Sequence, residues 1–255
     1  MTATDFAHRL RSGGTALGYW VVTDSPVSTE RIALTGYDYV ALDGQHGLLG
    51  YSGLLTGLMA IEAAHGPAGV VRVEANNATP IGRALDAGAS VVIVPLVNTA
   101  QDAADAVAAT RYPPAGTRSY GPMRSGLRIG PTPAEADRSV LVFAMIETPQ
   151  GLAEVEDIAA VPGLDGLYIG PSDLTLALGG TTSTDTTVSE AFDAALDRVL
   201  RACDANGIIP GIHSPSGEVA QSRLAEGFRF VSIASDLTHL EAAARSHLAA
   251  ARGGV

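Results

Sequence analysis

The chain of 255 residues contains no lysine, so all 16 of its basic side chains are arginines. Without an amine side chain no Schiff base can form with a carbonyl substrate. Any carbon–carbon lyase written in this sequence must stabilise its enolate by metal and hydrogen bonds instead. Cysteine is nearly absent too. Cys203 stands alone, which excludes an internal disulfide and a thiolate metal cluster and fits a reducing cytoplasm. Positive charge is scarce: 27 acidic residues leave a net charge of −11, and the arginines gather at most in pairs such as Arg9 and Arg11. Neither nucleic acid nor an anionic membrane surface is therefore an expected partner. No run approaches the roughly 18 apolar residues of a membrane span, and the N-terminal MTATDFAHRLRSGG lacks the apolar centre of a secretory signal. A soluble cytoplasmic protein is expected.

What the sequence does have is apolar material, 46% of its residues against 17% charged, enough for a large core. Its 29 glycines and 14 prolines fall short of low complexity and read as many turns. Eight short β-branched runs recur: 16–22, 39–44, 69–75, 90–97, 140–148, 166–173, 208–214 and 228–236. They are nearly continuous in apolar residues, as parallel strands buried on both faces are. Helix-periodic segments lie between them, among them 27–36 with Ser28 as its expected N-cap, 99–112 and 189–207. Eight β/α units in this length predict one α/β domain over 1–255, a (β/α)8 TIM barrel. No G-x-G-x-x-G follows the first strand, which speaks against a doubly wound sheet. A long connection at 113–138 separates the fourth and fifth strands, a length usually functional or ordered at an interface.

Barrel chemistry sits at the C-terminal strand ends, and the ionisable groups there are concentrated. The second run ends in Asp43, Gln45 and His46, the third contains Arg72, the fifth ends in Glu147, the sixth in Ser172 and Asp173, the seventh in His213, and the eighth in Ser235 and Asp236. Glu147 and Asp173 come from consecutive strand ends and offer two hard oxygens with open positions, as Mg²⁺ or Mn²⁺ would use. Each carboxylate could equally cap the helix after it. Arg72 among valines demands a carboxylate partner or an anionic ligand. His46, in a glycine-flanked turn, can serve as a near-neutral base or be simply solvated. The segment Gly170-Pro171-Ser172-Asp173 offers free backbone N–H groups to a carboxylate or phosphate, or is only a turn. His213 reads as a core or a rim residue.

Five segments in order, LDGQHG (42–47), VVRVEANNATPIGRALDAGASVVIVPLVNTA (70–100), TRYPPAGTRSYG (110–121), MIETPQG (145–151) and LDGLYIGPSDLTLALG (164–179), together resemble the HpcH/HpaI aldolase family, related to the citrate lyase β-subunit group. The resemblance implies a barrel of the phosphoenolpyruvate/pyruvate-domain type and a class II pyruvate aldolase. Its divalent metal, Mg²⁺, Mn²⁺ or Co²⁺, would be held by Glu147 and Asp173. It further implies a pyruvyl carboxylate bound near Gly170, Pro171, Ser172 and Asp173, and Arg72 facing the enolate. A His46–Asp86 catalytic dyad, Asp43 as a further acidic site residue and Trp20 as a pocket wall complete the implied site. His213 stands near the aldehyde side, where the family has an apolar residue, while Gln45 and Met145 stand where members often carry Glu and Gln. A homo-oligomer is implied as well, a hexamer or trimer of dimers, with the C-terminal helix at about 237–252 exchanged between subunits. Two other readings compete with an aldolase acting on a 4-hydroxy-2-oxo acid. One is an acyl-CoA lyase of the citrate or malyl type, whose CoA phosphates would depend on Arg118, Arg124 and Arg128. The other is a non-catalytic barrel that binds an oxo acid.

Overall fold

The computed structural model describes residues 2–253. Eight parallel strands close into a barrel in sequence order: β1 Ala16–Val21, β2 Tyr39–Asp43, β3 Ala68–Arg72, β4 Val91–Val94, β5 Leu141–Ile146, β6 Gly166–Ile169, β7 Ile209–Ser214 and β8 Phe230–Ser235, with β8 paired back to β1. Every expected run yields a strand, shorter than the run by a residue or more, and the third also starts one residue earlier, at Ala68. The helical segments stand close to their expected places at Ala100–Thr110 and Ser189–Asn206. One boundary differs: the helix Pro26–Ala33 starts after Ser25, not Ser28, because Pro26 sets the first helical φ.

Alternation along each strand sorts the side chains into two layers. On β5, Val142, Ala144 and Ile146 join the large cluster under the helices, whereas Leu141, Phe143 and Met145 join a separate cluster inside the barrel. The interior is filled by rings, with Phe230 stacked between Tyr39 (centroids 4.1 Å apart) and Phe143 (4.6 Å). Such rings fit only because small residues face them: a Cβ on Gly18 would sit 2.0 Å from the Tyr39 ring.

The helix Ala3–Arg11 buries Phe6, Ala7 and Leu10 in the same interior cluster and so closes the N-terminal end of the barrel. A capping box between Thr2 and Asp5 starts it. Near its end Arg11 grips Asp165 at 2.7 Å.

The connection at 113–138 is not a bare loop, since it holds the short helix Ser125–Arg128 and most of the helix Pro133–Ser139. It joins the end of a helix to the start of β5, so it lies at the N-terminal end, away from the C-terminal strand ends. Three of its four arginines are committed there: Arg118 to Asp86 at 2.8 Å, and Arg124 and Arg128 both to Glu62.

Phe230→Ala should cost about 3–5 kcal/mol, read as a lowered midpoint in equilibrium urea unfolding. A loss under about 1 kcal/mol would mean that the stacked interior is not packed as described.

Candidate active site

The inward alternation that fills the barrel with rings ends, at the C-terminal rim, in polar groups. Tyr39, Ala41 and Asp43 share one face of β2, as do Val70 and Arg72 on β3, and β5 continues Leu141, Phe143, Met145 into Glu147. Trp20, His46, Arg72, Met145, Tyr168, Gly170, Pro171, Ser172, Asp173 and His213 line one cavity of about 230 Å³ at this end.

Asp43 and Arg72 sit opposite each other in the β2–β3 register and are both buried. Arg72 binds the carboxylate with two prongs, Nε to Oδ1 at 2.9 Å and Nη2 to Oδ2 at 2.5 Å. Trp20 Nε1 and the backbone N–H groups of Gln45 and His46 donate to the same carboxylate. Burial pushes the Asp43 carboxyl up, but Arg72, the His46 N–H and Trp20 outweigh it and hold the value below the usual carboxylate range. Arg72 lines the cavity, and its Nη1 makes no hydrogen bond to the described residues and is not among the sealed polar atoms. The arginine thus satisfies both expectations, a structural ion pair and a free edge for an anionic ligand.

Glu147 is buried, and only one of its oxygens is satisfied, Oε1 accepting from Leu96 N–H at 2.8 Å. Leu96 holds that geometry at φ +55°, a left-handed conformation that costs a non-glycine residue. Oε2 is sealed in without a partner. Gly170 makes room for it, because a Cβ there would lie 2.7 Å from Oε2. Burial and then the nearby Asp173 charge raise the Glu147 carboxyl, against the Leu96 N–H and Arg72. Asp173 is not the helix cap: the helix Pro171–Ala177 has Gly170 as its N-cap, and Asp173 lies in the first turn, exposed to the cavity.

Two carboxylates, one with an orphaned buried oxygen, fit a hard divalent cation that draws its remaining ligands from water and substrate. Among the described residues no cluster of three or more His, Cys, Asp or Glu forms a complete protein cage. At the start of the same helix no side chain caps the first N–H groups, which leaves those of Ser172 and Asp173 for an anion.

His46 is exposed on the turn after β2, tied through its backbone to Asp43, and its imidazole bonds to none of the described residues. The implied His46–Asp86 dyad does not form within a single copy of this chain. Asp86 ends the helix Ala78–Asp86, which runs back from β3 to the N-terminal end of the barrel, and its carboxylate is taken by Arg118. His213 faces the cavity from β7, its ring edge against Trp20 (5.5 Å) and its Nδ1 2.9 Å from Ser232 Oγ. Burial, then Arg72, pushes its pKa down to about 4, so the ring is neutral near pH 7. Trp20 is both wall and core, stacked on Tyr168 at 6.0 Å with Arg72 above it at 5.2 Å.

Three contributors escaped the sequence reading. Leu96 acts through its backbone and leaves no side-chain signal. Tyr168 and Ser232 occupy inward positions of β6 and β8 that alternation alone would have marked.

Asp43→Asn would leave Arg72 buried and unpaired, at a cost of about 3–5 kcal/mol in urea unfolding near neutrality. The Asp43 carboxyl lies lower in the folded than in the unfolded chain, so its contribution is complete above the unfolded value and is lost as pH falls through the folded one. The gap between wild type and variant should therefore close in acid; a gap independent of pH would refute the ion pair.

The chain matches the HpcH/HpaI aldolase/citrate lyase family over residues 16–243. It is 40% identical over 241 residues to the hydroxypyruvate/pyruvate aldolase of Rhizorhabdus wittichii, covering 94% of this chain and 95% of that one. A 4-hydroxy-2-oxovalerate aldolase of Rhodococcus jostii is 38% identical, covering 96% and 94%. Among solved structures, an HpcH/HpaI aldolase/citrate lyase family protein from Burkholderia cenocepacia superposes with a TM-score of 0.87 at 32% identity, covering 98% of this chain and 100% of that one. The barrel, its rim of inward polar groups and these likenesses agree: the chain belongs to the HpcH/HpaI aldolase/citrate lyase family and is a carbon–carbon lyase.

Proposed function

We propose that this lyase is a divalent-metal-dependent aldolase that reversibly cleaves a 4-hydroxy-2-oxo acid to pyruvate, or a close 2-oxo acid, and an aldehyde. The observation that carries the reading is the unpartnered buried Oε2 of Glu147 in the same rim as Asp173 and the free edge of Arg72. The printed activities of the R. wittichii and R. jostii relatives support the substrate class.

Glu147 and Asp173 would hold the cation, which when bound supplies positive charge against the enolate that cleavage generates. The N–H groups of Ser172 and Asp173, on the frame set by Gly170 and Pro171, receive the substrate carboxylate. Arg72, fixed by Asp43, presents Nη1 to the developing negative charge at no cost of reorganisation. His46 assists removal of the C4 hydroxyl proton before the C3–C4 bond breaks, and returns it in the reverse direction. Trp20 and Tyr168 wall the reacting centre from water. Asp86 takes no part from within its own chain; it could meet a His46 only of another copy.

The acyl-CoA alternative loses its basis, because Arg118, Arg124 and Arg128 lie paired at the far end of the same chain's barrel. A purely binding role is set aside by the lyase assignment. The helix Asp236–Ala251 buries none of its residues and exposes Leu237, Leu240 and Leu248. This supports assembly into a homo-oligomer, a hexamer or trimer of dimers, with that helix exchanged between subunits. No helix among the described residues is long and apolar enough to cross a membrane; a cytoplasmic site of action is part of the proposal and rests on the single unpaired Cys203.

Pyruvate release from 4-hydroxy-2-oxo acids, measured with a coupled assay, should vanish on stripping with EDTA and return with Mg²⁺, Mn²⁺ or Co²⁺. Glu147→Ala should lose about 10³-fold or more of kcat/KM, the worth of several kcal/mol of charge stabilisation. Full activity after stripping, or in the variant, would overturn the reading.

A further inference from the structure

His213, Ser232 and Tyr168 form a chain of hydrogen bonds that the cleavage scheme leaves unused. Tyr168 and Ser232 are fully buried, with Tyr168 Oη 2.5 Å from Ser232 Oγ and His213 Nδ1 2.9 Å from the same oxygen. Ser232 has a single proton to give. The Tyr168 hydroxyl bonds to nothing else among the described residues, so unless it donates to Ser232 its O–H is buried unpaired, which is costly. Tyr39, whose hydroxyl is also sealed in, makes no hydrogen bond among the described residues and takes nothing from this chain. The one arrangement that pairs both buried O–H groups has Tyr168 donating to Ser232 and Ser232 donating to His213 Nδ1. An imidazole that accepts at Nδ1 carries its proton on Nε2 when neutral. Nε2 bonds to no described residue and is not among the sealed polar atoms, so it opens on the cavity that His213 lines.

The groups assigned to the 2-oxo acid come from β3, from the end of β5 and from the turn after β6. His213 on β7 and Trp20 on β1, with Val22, His46 and Ser235 at the rim, form the remaining wall, which is left for the aldehyde. We propose that His213 is a specificity-determining residue, held by Ser232 and Tyr168 as the Nε2–H tautomer, and that its N–H selects aldehydes bearing an oxygen substituent beside the carbonyl over plain alkyl aldehydes. An alkyl chain leaves that N–H facing carbon, and a site built to hydrogen-bond an oxygen penalises the ligand that lacks it. The inference deepens the aldolase reading and rests on it. His213 is here a binding group; Ser232 is a positioning residue that acts through it.

The Mg²⁺-loaded enzyme should add pyruvate to glycolaldehyde with a kcat/KM roughly 10-fold above that for acetaldehyde, the worth of one neutral hydrogen bond. His213→Leu should bring that ratio close to unity, and His213→Gln, which keeps an N–H donor, should retain part of it. Nitrogen-15 spectra of the imidazoles at neutral pH should show His213 protonated on Nε2, and Ser232→Ala should release it to a mixture of tautomers. Exchange of the pyruvate C3 protons in D₂O, which needs no aldehyde, separates the two readings. If wild type exchanges these protons but the ratio survives in His213→Leu, or Nδ1 carries the proton, the specificity proposal is overturned alone. If wild type neither exchanges nor condenses, the aldolase reading falls and takes this one with it.

Discussion

The rim of the barrel depends on one buried ion pair. Asp43 and Arg72 face each other across β2 and β3, and neither could stay where it is without the other, since an unpaired charge at this depth costs several kcal/mol. The aspartate collects five donors from four residues, among them the indole of Trp20 and the backbone leading to His46. A pocket wall, the turn that carries His46 and the arginine that lines the cavity are thus set by a single carboxylate. Ion pairs of this kind add little net stability; what this one supplies is position.

The two ends of the barrel divide the work. At the N-terminal end the polar groups are paired with one another, as in Arg118 with Asp86 and Arg124 and Arg128 with Glu62, and the helix Ala3–Arg11 closes the bottom with apolar side chains. At the C-terminal end the polar groups are left wanting: Glu147 with one bare oxygen, Leu96 strained to serve the other, and Arg72 with a free edge. Stability concentrated at one end allows unsatisfied groups to persist at the other, which is where a substrate and a cation can satisfy them.

The fold was legible because parallel strands covered on both faces advertise themselves as apolar runs, and eight of them in this length leave one common closure. Site residues were legible where a charged side chain interrupts such a run, as Arg72 does, or ends it, as Asp43 and Glu147 do. Asp86 is a different case. Its motif is clear in the sequence, but direction along a helix decides which end of the barrel a residue reaches, and the helix after β3 carries Asp86 away from His46. Leu96 could not be read at all, because its contribution is a backbone N–H in a rare conformation. The chain behind His213 lay hidden in ordinary strand residues, Tyr168 and Ser232, whose chemistry exists only once the barrel closes.

In the proposed reaction Glu147, Asp173 and Arg72 converge on one bound 2-oxo acid together with a divalent cation. Calorimetric titration of Mn²⁺ with and without oxalate, a stable mimic of the pyruvate enolate, tests it most directly. Each ligand should tighten the other, and this coupling should disappear in Glu147→Gln. Oxalate binding with equal affinity in the presence and absence of Mn²⁺ would contradict it.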